Sequence, residues 1–223
     1  MSTAPIRIFL LDDHPLVREW LGNLLRLQRD FIVSGEASDS ATALATLATH
    51  PADVAIIDLS LKRGSGLDLI KDLATRLPRV RPIVLSMHEE LGDIERAFRA
   101  GARGYVRKSE STGLIVNAIR TVHAGEIFAA PELLAQLAAR LVGRPAATAA
   151  ATPETLSDRE LDVFRRLGAG HATKRIAEEL GVSLKTVQTY CARIKEKLAL
   201  ADGAELVREA TRWHDGRSSR TSV

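Results

Sequence analysis

Five times in its first 128 residues the chain passes from a short apolar run to an amphipathic stretch. That alternation narrows the fold more than any other feature. Ile6–Leu11 (IRIFLL), Phe31–Ala37, Val54–Ile57 (VAII), Ile83–Leu85 and Gly104–Val106 read as strands. Pro15–Gln28, Ser40–Thr49, Leu67–Leu77, Gly92–Ala100 and Thr112–His123 carry apolar residues three and four apart and read as helices. The alternation predicts βαβ units around a parallel sheet covered on both faces. Unbroken hydrophobicity in IFLL and VAII fits strands buried on both sides.

The rest of the chain has a different pattern. Pro131–Val142 reads as one more helix, with Pro at its first turn. Gly143–Thr155 (GRPAATAAATPET) has no apolar periodicity and reads as a linker. Residues 156–213 are helical in pattern, and Asp215–Val223 reads as a disordered tail. The expected plan is an α/β domain over residues 1–128, a helix and linker over 129–155, a small all-α domain over 156–213, and a tail over 214–223. A length of 223 residues suits two small domains. No apolar run approaches the ~20 residues of a membrane helix, and the N-terminus lacks a basic-then-apolar signal pattern; the expectation is a cytoplasmic protein. The single Cys191 excludes an intramolecular disulfide framework and a Cys-rich zinc site. Few aromatic residues (Phe 5, Trp 2, Tyr 2) argue against stacking platforms for single-stranded nucleic acid. Residues 1–130 carry 16 basic and 16 acidic side chains, whereas residues 131–223 carry 15 and 12, so the +3 charge belongs to the second part. Lys185, Arg193, Lys195 and Lys197 against Glu196 concentrate it. Such a stretch is either a solvated helix face or a footprint on phosphate.

Ligand sites of open α/β sheets lie beyond the carboxyl ends of the strands, where the strand order reverses. Asp12 and Asp13 follow strand 1, Asp58 strand 3, Ser86 strand 4, and strand 5 leads to Lys108. The first loop, DDHP, has neither a dinucleotide-binding nor a P-loop glycine pattern. Carboxylates held this close repel one another, and a divalent cation relieves the repulsion. Oxygen-only ligands favour Mg²⁺. His14 reads as a loop residue that starts a helix ahead of Pro15 rather than as a metal ligand or phosphodonor.

LLDDHPLVR (10–18), AIIDLSLKRGSGLDLI (55–70), IVLSMH (83–88) and GARGYVRKS (101–109) resemble the receiver domain of a response regulator, over nearly all of residues 5–125. The resemblance implies a flavodoxin-like (βα)5 fold with Asp58 as phosphoacceptor. It implies Asp13, with Asp12 as second acid, and the Ser60 carbonyl as the metal ligands alongside Asp58. Lys108 would clamp a phosphoryl oxygen, Ser86 would hydrogen-bond it, and Tyr105 holds the aromatic switch position. A carboxylate that attacks phosphorus in line, with Mg²⁺ neutralising charge, fits this set of groups. Lys62 stands where many receivers have Pro, and Ser86 where many have Thr.

In residues 156–213, Ala177, Gly181 and Val187 have helix-turn-helix spacing. Ser183 reads as the N-cap of a helix Leu184–Leu198 that buries Val187, Ile194 and Leu198. Lys185, Gln188, Thr189, Ala192, Arg193 and Lys195 are left outside, a polar and basic face suited to a major groove. LSDREL, KRIAEELGVSLKTVQTY and IKEKL resemble the LuxR-type (NarL/FixJ) DNA-binding domain, a small four-helix unit. By that resemblance Gln188, Thr189 and Ala192 face bases, while Lys174, Lys185, Thr186, Tyr190 and Arg193 face phosphates. Tyr190 and Gln188 replace the family's frequent His and Lys, so base preference does not carry over. Asp202–Trp213 reads as a final amphipathic helix, which in the family pairs with its symmetry mate. Cys191 reads as a small helix residue rather than a redox sensor.

Together these readings describe a two-component transcription factor switched by phosphorylation of Asp58. Its expected partners are double-stranded DNA, a sensor histidine kinase and a second copy of itself. Such a chain is a single-turnover phosphoacceptor rather than a conventional enzyme. One rival is a phosphatase or phosphotransferase with Asp58 as nucleophile, but no general acid stands nearby (the residue two positions on is Ser60). The other is a DNA-binding regulator that uses its receiver only to dimerise.

Overall fold

In the computed structural model, residues 4–61, 63–87, 91–142 and 152–218 are described. Five strands, β1 (Ile6–Leu11), β2 (Phe31–Ala37), β3 (Val54–Ile57), β4 (Arg81–Ser86) and β5 (Gly104–Arg107), form one sheet in the order β2-β1-β3-β4-β5. Every pairing is parallel. The order turns back between β1 and β3, which opens a crevice at the carboxyl ends of those strands.

Period-two alternation gives each strand two inward faces. Phe9, Leu11, Ala55, Ile57, Val84 and Tyr105 pack on one side under α2 (Ser40–Thr49), α3 (Gly66–Arg76) and α4 (Leu91–Ala100). Ile8, Leu10, Val54, Ile56, Ile83, Leu85 and Val106 pack on the other under α1 (Pro15–Arg26) and α5 (Thr112–His123). Ile115, Val116, Ala118, Ile119 and Val122 form the buried stripe of α5. Each large apolar side chain so buried contributes about 1.5–3 kcal/mol against the entropy of ordering the chain.

Helix α6 (Pro131–Val142) forms at the expected positions. The sequence pattern groups it with the linker, but the structure packs it on the sheet domain. Leu133 is buried in the same cluster as Ile94 and Ala97 of α4, and Phe128 bridges to Gly104. The chain divides into compact units of residues 1–144 and 145–223. A helix with an apolar face docks against a neighbouring apolar flank, here that of α4, whatever follows it in sequence. Of the expected linker, residues 143–151 lie outside the described residues; Pro153–Thr155 form a short 3-10 turn.

The second unit holds α7 (Asp158–Gly168), α8 (Thr173–Leu180), α9 (Leu184–Lys197) and α10 (Gly203–Ser218) around Val163, Phe164, Ile176, Val187, Ile194 and Ala210. Ser157 and Glu160 close a reciprocal capping box on α7. Buried Glu160 also accepts the Lys197 ammonium at 2.6 Å, which ties α7 to the end of α9. Gly181 ends α8 at φ 65°, a left-handed conformation that a side chain would strain. Ser183 caps α9 by accepting the Thr186 amide at 3.1 Å. Asp202 caps α10 by accepting the Glu205 amide at 2.8 Å, so the helix begins one residue later than expected. It also runs to Ser218, which corrects the tail expected from Asp215 onward; residues 219–223 lie outside the described residues. No proline interrupts that stretch, and a glycine such as Gly216 costs a helix only about 1 kcal/mol.

Gly66, the first residue of α3, packs so tightly that a Cβ there would collide with the Asp58 carbonyl oxygen. Gly66→Ala is therefore expected to cost the sheet domain about 1–3 kcal/mol by overpacking. Urea unfolding followed by circular dichroism checks it: an unchanged midpoint would mean that the Asp58 loop yields freely.

Candidate functional site: an acidic pocket and an exposed helix face

The carboxyl edge of the sheet gathers the charged residues. Asp12 directly follows β1. Asp58 directly follows β3, and its amide donates to the Leu11 carbonyl at 2.8 Å, which locks the two strand ends together. Ser86 closes β4, fully buried, and its carbonyl accepts the Lys108 amide at 2.9 Å. Lys108 then reaches back across the edge. Its Nζ donates to Asp12 Oδ2 at 2.6 Å and to Asp58 Oδ2 at 2.7 Å. Both carboxylates are only 2% exposed. The Ser60 amide donates to Asp58 Oδ1 at 3.0 Å, and the His14 amide to Asp12 Oδ1 at 2.8 Å.

Burial pushes the Asp58 carboxyl above its ordinary range, and this outweighs the opposing pull of Lys108 and the Ser60 amide. Burial alone would lower the Lys108 pKa, but the facing Asp58 and Asp12 carboxylates reverse that and hold it up. The ammonium is therefore fixed in its charged form between two acids. Ligand atoms of Asp12, Asp13, His14 and Asp58 all lie within 4.8 Å of one another. Three of the four are carboxylates, a set suited to a hard divalent cation. His14 does more than begin α1: its Nδ1 lies 2.9 Å from Asp13 Oδ1 and 3.2 Å from Asp12 Oδ1.

In the second unit, Lys185, Gln188, Thr189, Ala192 and Arg193 share the exposed side of α9, and Lys174 is exposed on α8. Thr186, Tyr190 and Lys195 are half-buried, the last of these in place of the full exposure expected. The Thr189 hydroxyl donates to the Lys185 carbonyl at 2.9 Å, so its side chain lies along the helix. Val187, Ile194 and Leu198 are buried as expected. Burial pushes the Cys191 thiol up despite nearby Lys195, the opposite of an activated thiolate.

Comparison with known proteins matches residues 8–120 to the response regulator receiver domain and residues 154–210 to the bacterial regulatory proteins of the luxR family. The transcriptional regulatory protein UhpA of Salmonella typhimurium is 37% identical over 212 residues, 95% of this chain and 99% of that protein. The probable transcriptional regulatory protein NarL of Mycobacterium tuberculosis is 34% identical, over 93% of this chain and 94% of its own. This chain belongs to the NarL/FixJ family of response regulators. Salmonella typhimurium RcsB, a solved response regulator, superposes with a TM-score of 0.70 at 25% identity, covering 94% of this chain and 98% of its own.

Within this response regulator, the structure brings Asp12, Asp13, Asp58 and Lys108 into one pocket, with Ser86 at the adjoining strand end. Tyr105 lies earlier on β5, paired with Val84 and 1% exposed in the apolar cluster under α4. Ser60 is exposed and meets Asp58 through its amide. Lys62 and the segment 88–90 lie outside the described residues. Sequence reasoning misses the part played by the His14 ring, whose signal is its place directly after two acids and before a helix-starting proline.

The raised Asp58 pKa has a consequence for stability. A carboxyl whose folded pKa exceeds its unfolded value destabilises the fold as pH rises through that interval, because the folded state disfavours the anion. Without divalent cation, Asp58→Asn should therefore unfold a few degrees above the parent at pH 7. The difference should shrink as the pH falls below the unfolded carboxyl's pKa of about 4, where the parent is neutral at this position in both states. Thermal scans at both pH values check it, and a lower midpoint at pH 7 would show that the Lys108 contact outweighs desolvation.

Proposed function

We propose that Asp58 is the phosphoacceptor of this response regulator and that its phosphorylation governs promoter binding by the second unit. The observation that carries this reading is the Lys108 ammonium held between Asp12 and Asp58. An Asp58 oxygen attacks the phosphorus of the donor, the bond from phosphorus to the leaving group breaks, and an acyl phosphate remains on the chain. That product adds about −1.5 to −2 charges at the sheet edge. Lys108, already charged and within reach, pairs with a phosphoryl oxygen, and the Ser86 hydroxyl donates to another. Asp12, Asp13, Asp58 and the Ser60 carbonyl would hold Mg²⁺, which when bound neutralises charge on the transferring group. Ser86 and Tyr105 pass the change to the face of α4, β5 and α5, which releases the second unit or pairs receivers. The chain turns over once per phosphoryl group and is not a steady-state enzyme.

The donor is a sensor histidine kinase, and the target is double-stranded DNA in the cytoplasm. RcsB has been solved on promoter DNA in the presence of the phosphomimetic BeF₃⁻, at 25% identity and a TM-score of 0.66 to this chain. In this reading residues 156–213 bind DNA as a homodimer, and the sheet domain, with α6 docked on it, receives the signal. Gln188, Thr189 and Ala192 lie toward bases; Lys174, Lys185, Thr186, Tyr190 and Arg193 lie toward phosphates. Exposure of Lys185, Gln188, Thr189, Ala192 and Arg193 on one helix side supports an outward-facing interface there.

Acetyl phosphate with Mg²⁺ should label the parent, and Asp58→Ala or chelation of the cation should abolish the label. Undiminished labelling of Asp58→Ala would remove that residue from the role. Lys185→Ala should weaken binding to specific and scrambled duplexes alike and reduce the salt slope by about one. Gln188→Ala should cost roughly 1–3 kcal/mol on the preferred site alone. Titrations at several salt concentrations separate the two, and equal losses on both duplexes for Gln188→Ala would take it out of the base-reading set. Promoter occupancy that is identical with and without Asp58→Ala would leave the receiver as a dimerisation module.

A further inference from the structure

At the sheet edge opposite Asp58 lies a cavity of about 780 Å³. It sits beside Arg81 and Pro82, the first residues of β4, and beside the turn Gly101–Arg103 that leads into β5. Ser86 and Lys108 occupy the other ends of the same strands, about 15–20 Å away at ~3.3 Å per residue. The volume falls in the range of about 300–1,000 Å³ typical of small-molecule sites.

The walls are apolar. Phe98 of α4 and Leu134 and Leu137 of α6 line the space, together with Pro82 and Ile127. Leu134 remains 41% and Ile127 54% exposed, although α6 is anchored in the core through Leu133. Scattered exposed apolar residues need no explanation, but these two border one concavity.

The charged groups at its margin are unequal. The Glu95 carboxylate is paired with Arg99 one turn along α4. Arg81 donates to the His123 carbonyl and keeps its charge. The exposed Arg103 guanidinium makes no hydrogen bond or ion pair among the described residues. The balance is positive, with one planar, permanently charged donor group unengaged, a geometry that matches carboxylates.

We propose that this cavity binds a small apolar anion, an aryl or alkyl carboxylate whose hydrocarbon body lies against Phe98, Leu134 and Leu137 and whose charge meets Arg103. Because α6 supplies two of the walls, such a ligand binds the docked helix and stabilises it by mass action. The site uses no residue of the Asp58 pocket.

The probes are 2-naphthoate and its uncharged counterpart 2-naphthylmethanol, titrated into the full chain by calorimetry. The expected result is saturable one-site binding of the acid, at least ten-fold tighter than the alcohol, with a raised unfolding midpoint. Arg103→Gln should erase most of that preference while retaining the alcohol. Ala74→Phe, at an exposed position lining the cavity, should weaken both probes ten-fold or more. If that variant fails to melt cooperatively, Ile127→Asp makes the same test from the other wall. No saturable binding in the parent, or binding unchanged in the cavity variants, overturns the site. Equal affinity for acid and alcohol overturns its assignment to anions.

Discussion

Lys108 holds two buried carboxylates, Asp12 and Asp58, within 2.6 and 2.7 Å of one ammonium, and the architecture of the sheet edge follows from it. Neither acid tolerates its burial alone, since removing one partner of a buried pair typically costs about 3–5 kcal/mol. The contact also joins residues 96 and 50 positions apart in sequence, so it exists only when β1, β3 and β5 are in register. The backbone supports it from two sides: the Asp58 amide on Leu11, and the Lys108 amide on Ser86. A parallel sheet with a reversal between β1 and β3 is what brings those strand ends to one crevice. The same arrangement leaves the pocket under tension, with Asp58 shifted toward its neutral form by burial. A site that holds a carboxylate against its preference gains from any group that supplies further positive charge.

The sheet domain is legible in the sequence because two periodicities run through it. β1, β2 and β3 have the expected limits, since continuous apolar runs bounded by turns leave little freedom. β4 starts earlier, at Arg81-Pro82, where a charged residue and a proline conceal a strand. Pro82 still joins the ladder through its carbonyl, which accepts the Arg103 amide at 2.7 Å. Helix α6 is visible as a helix yet reads as part of a tether, because its partner surface comes from α4, on the far side of β5 and α5 in sequence. The end of α10 is hidden because the stretch after Trp213 is polar. Polarity marks exposure, and Asp215 and Gly216 are exposed yet helical.

The acidic pocket is legible for a different reason. Strand ends in an open α/β sheet fall on one edge, so the order of strands and the positions of the aspartates that end them suffice to place those aspartates together. Orientation does not follow in the same way: Ser60 meets Asp58 through its amide, and the His14 ring turns back onto Asp12 and Asp13. Both depend on loop dihedrals, which residue type constrains weakly. The cavity beneath α6 likewise leaves no mark in the sequence, because it is an unfilled volume between elements that each look ordinary alone.

Neighbouring residues of α9 show how one helix serves fold and partner separately. Val187 is fully buried, while Gln188, one position and about 100° further round, is exposed. A change at Val187 alters the packing of α9 on the bundle and is felt as a core defect of a few kcal/mol. The Gln188 side chain makes no hydrogen bond among the described residues, so a change there is felt chiefly by whatever lies against the exposed face. The Ser183 cap and the left-handed Gly181 set where α9 begins, and therefore which side chains fall on that face. Helix-turn-helix spacing is thus a requirement on position rather than on chemistry. The framework can stay constant while exposed residues such as Gln188 vary without disturbing the packing beneath them.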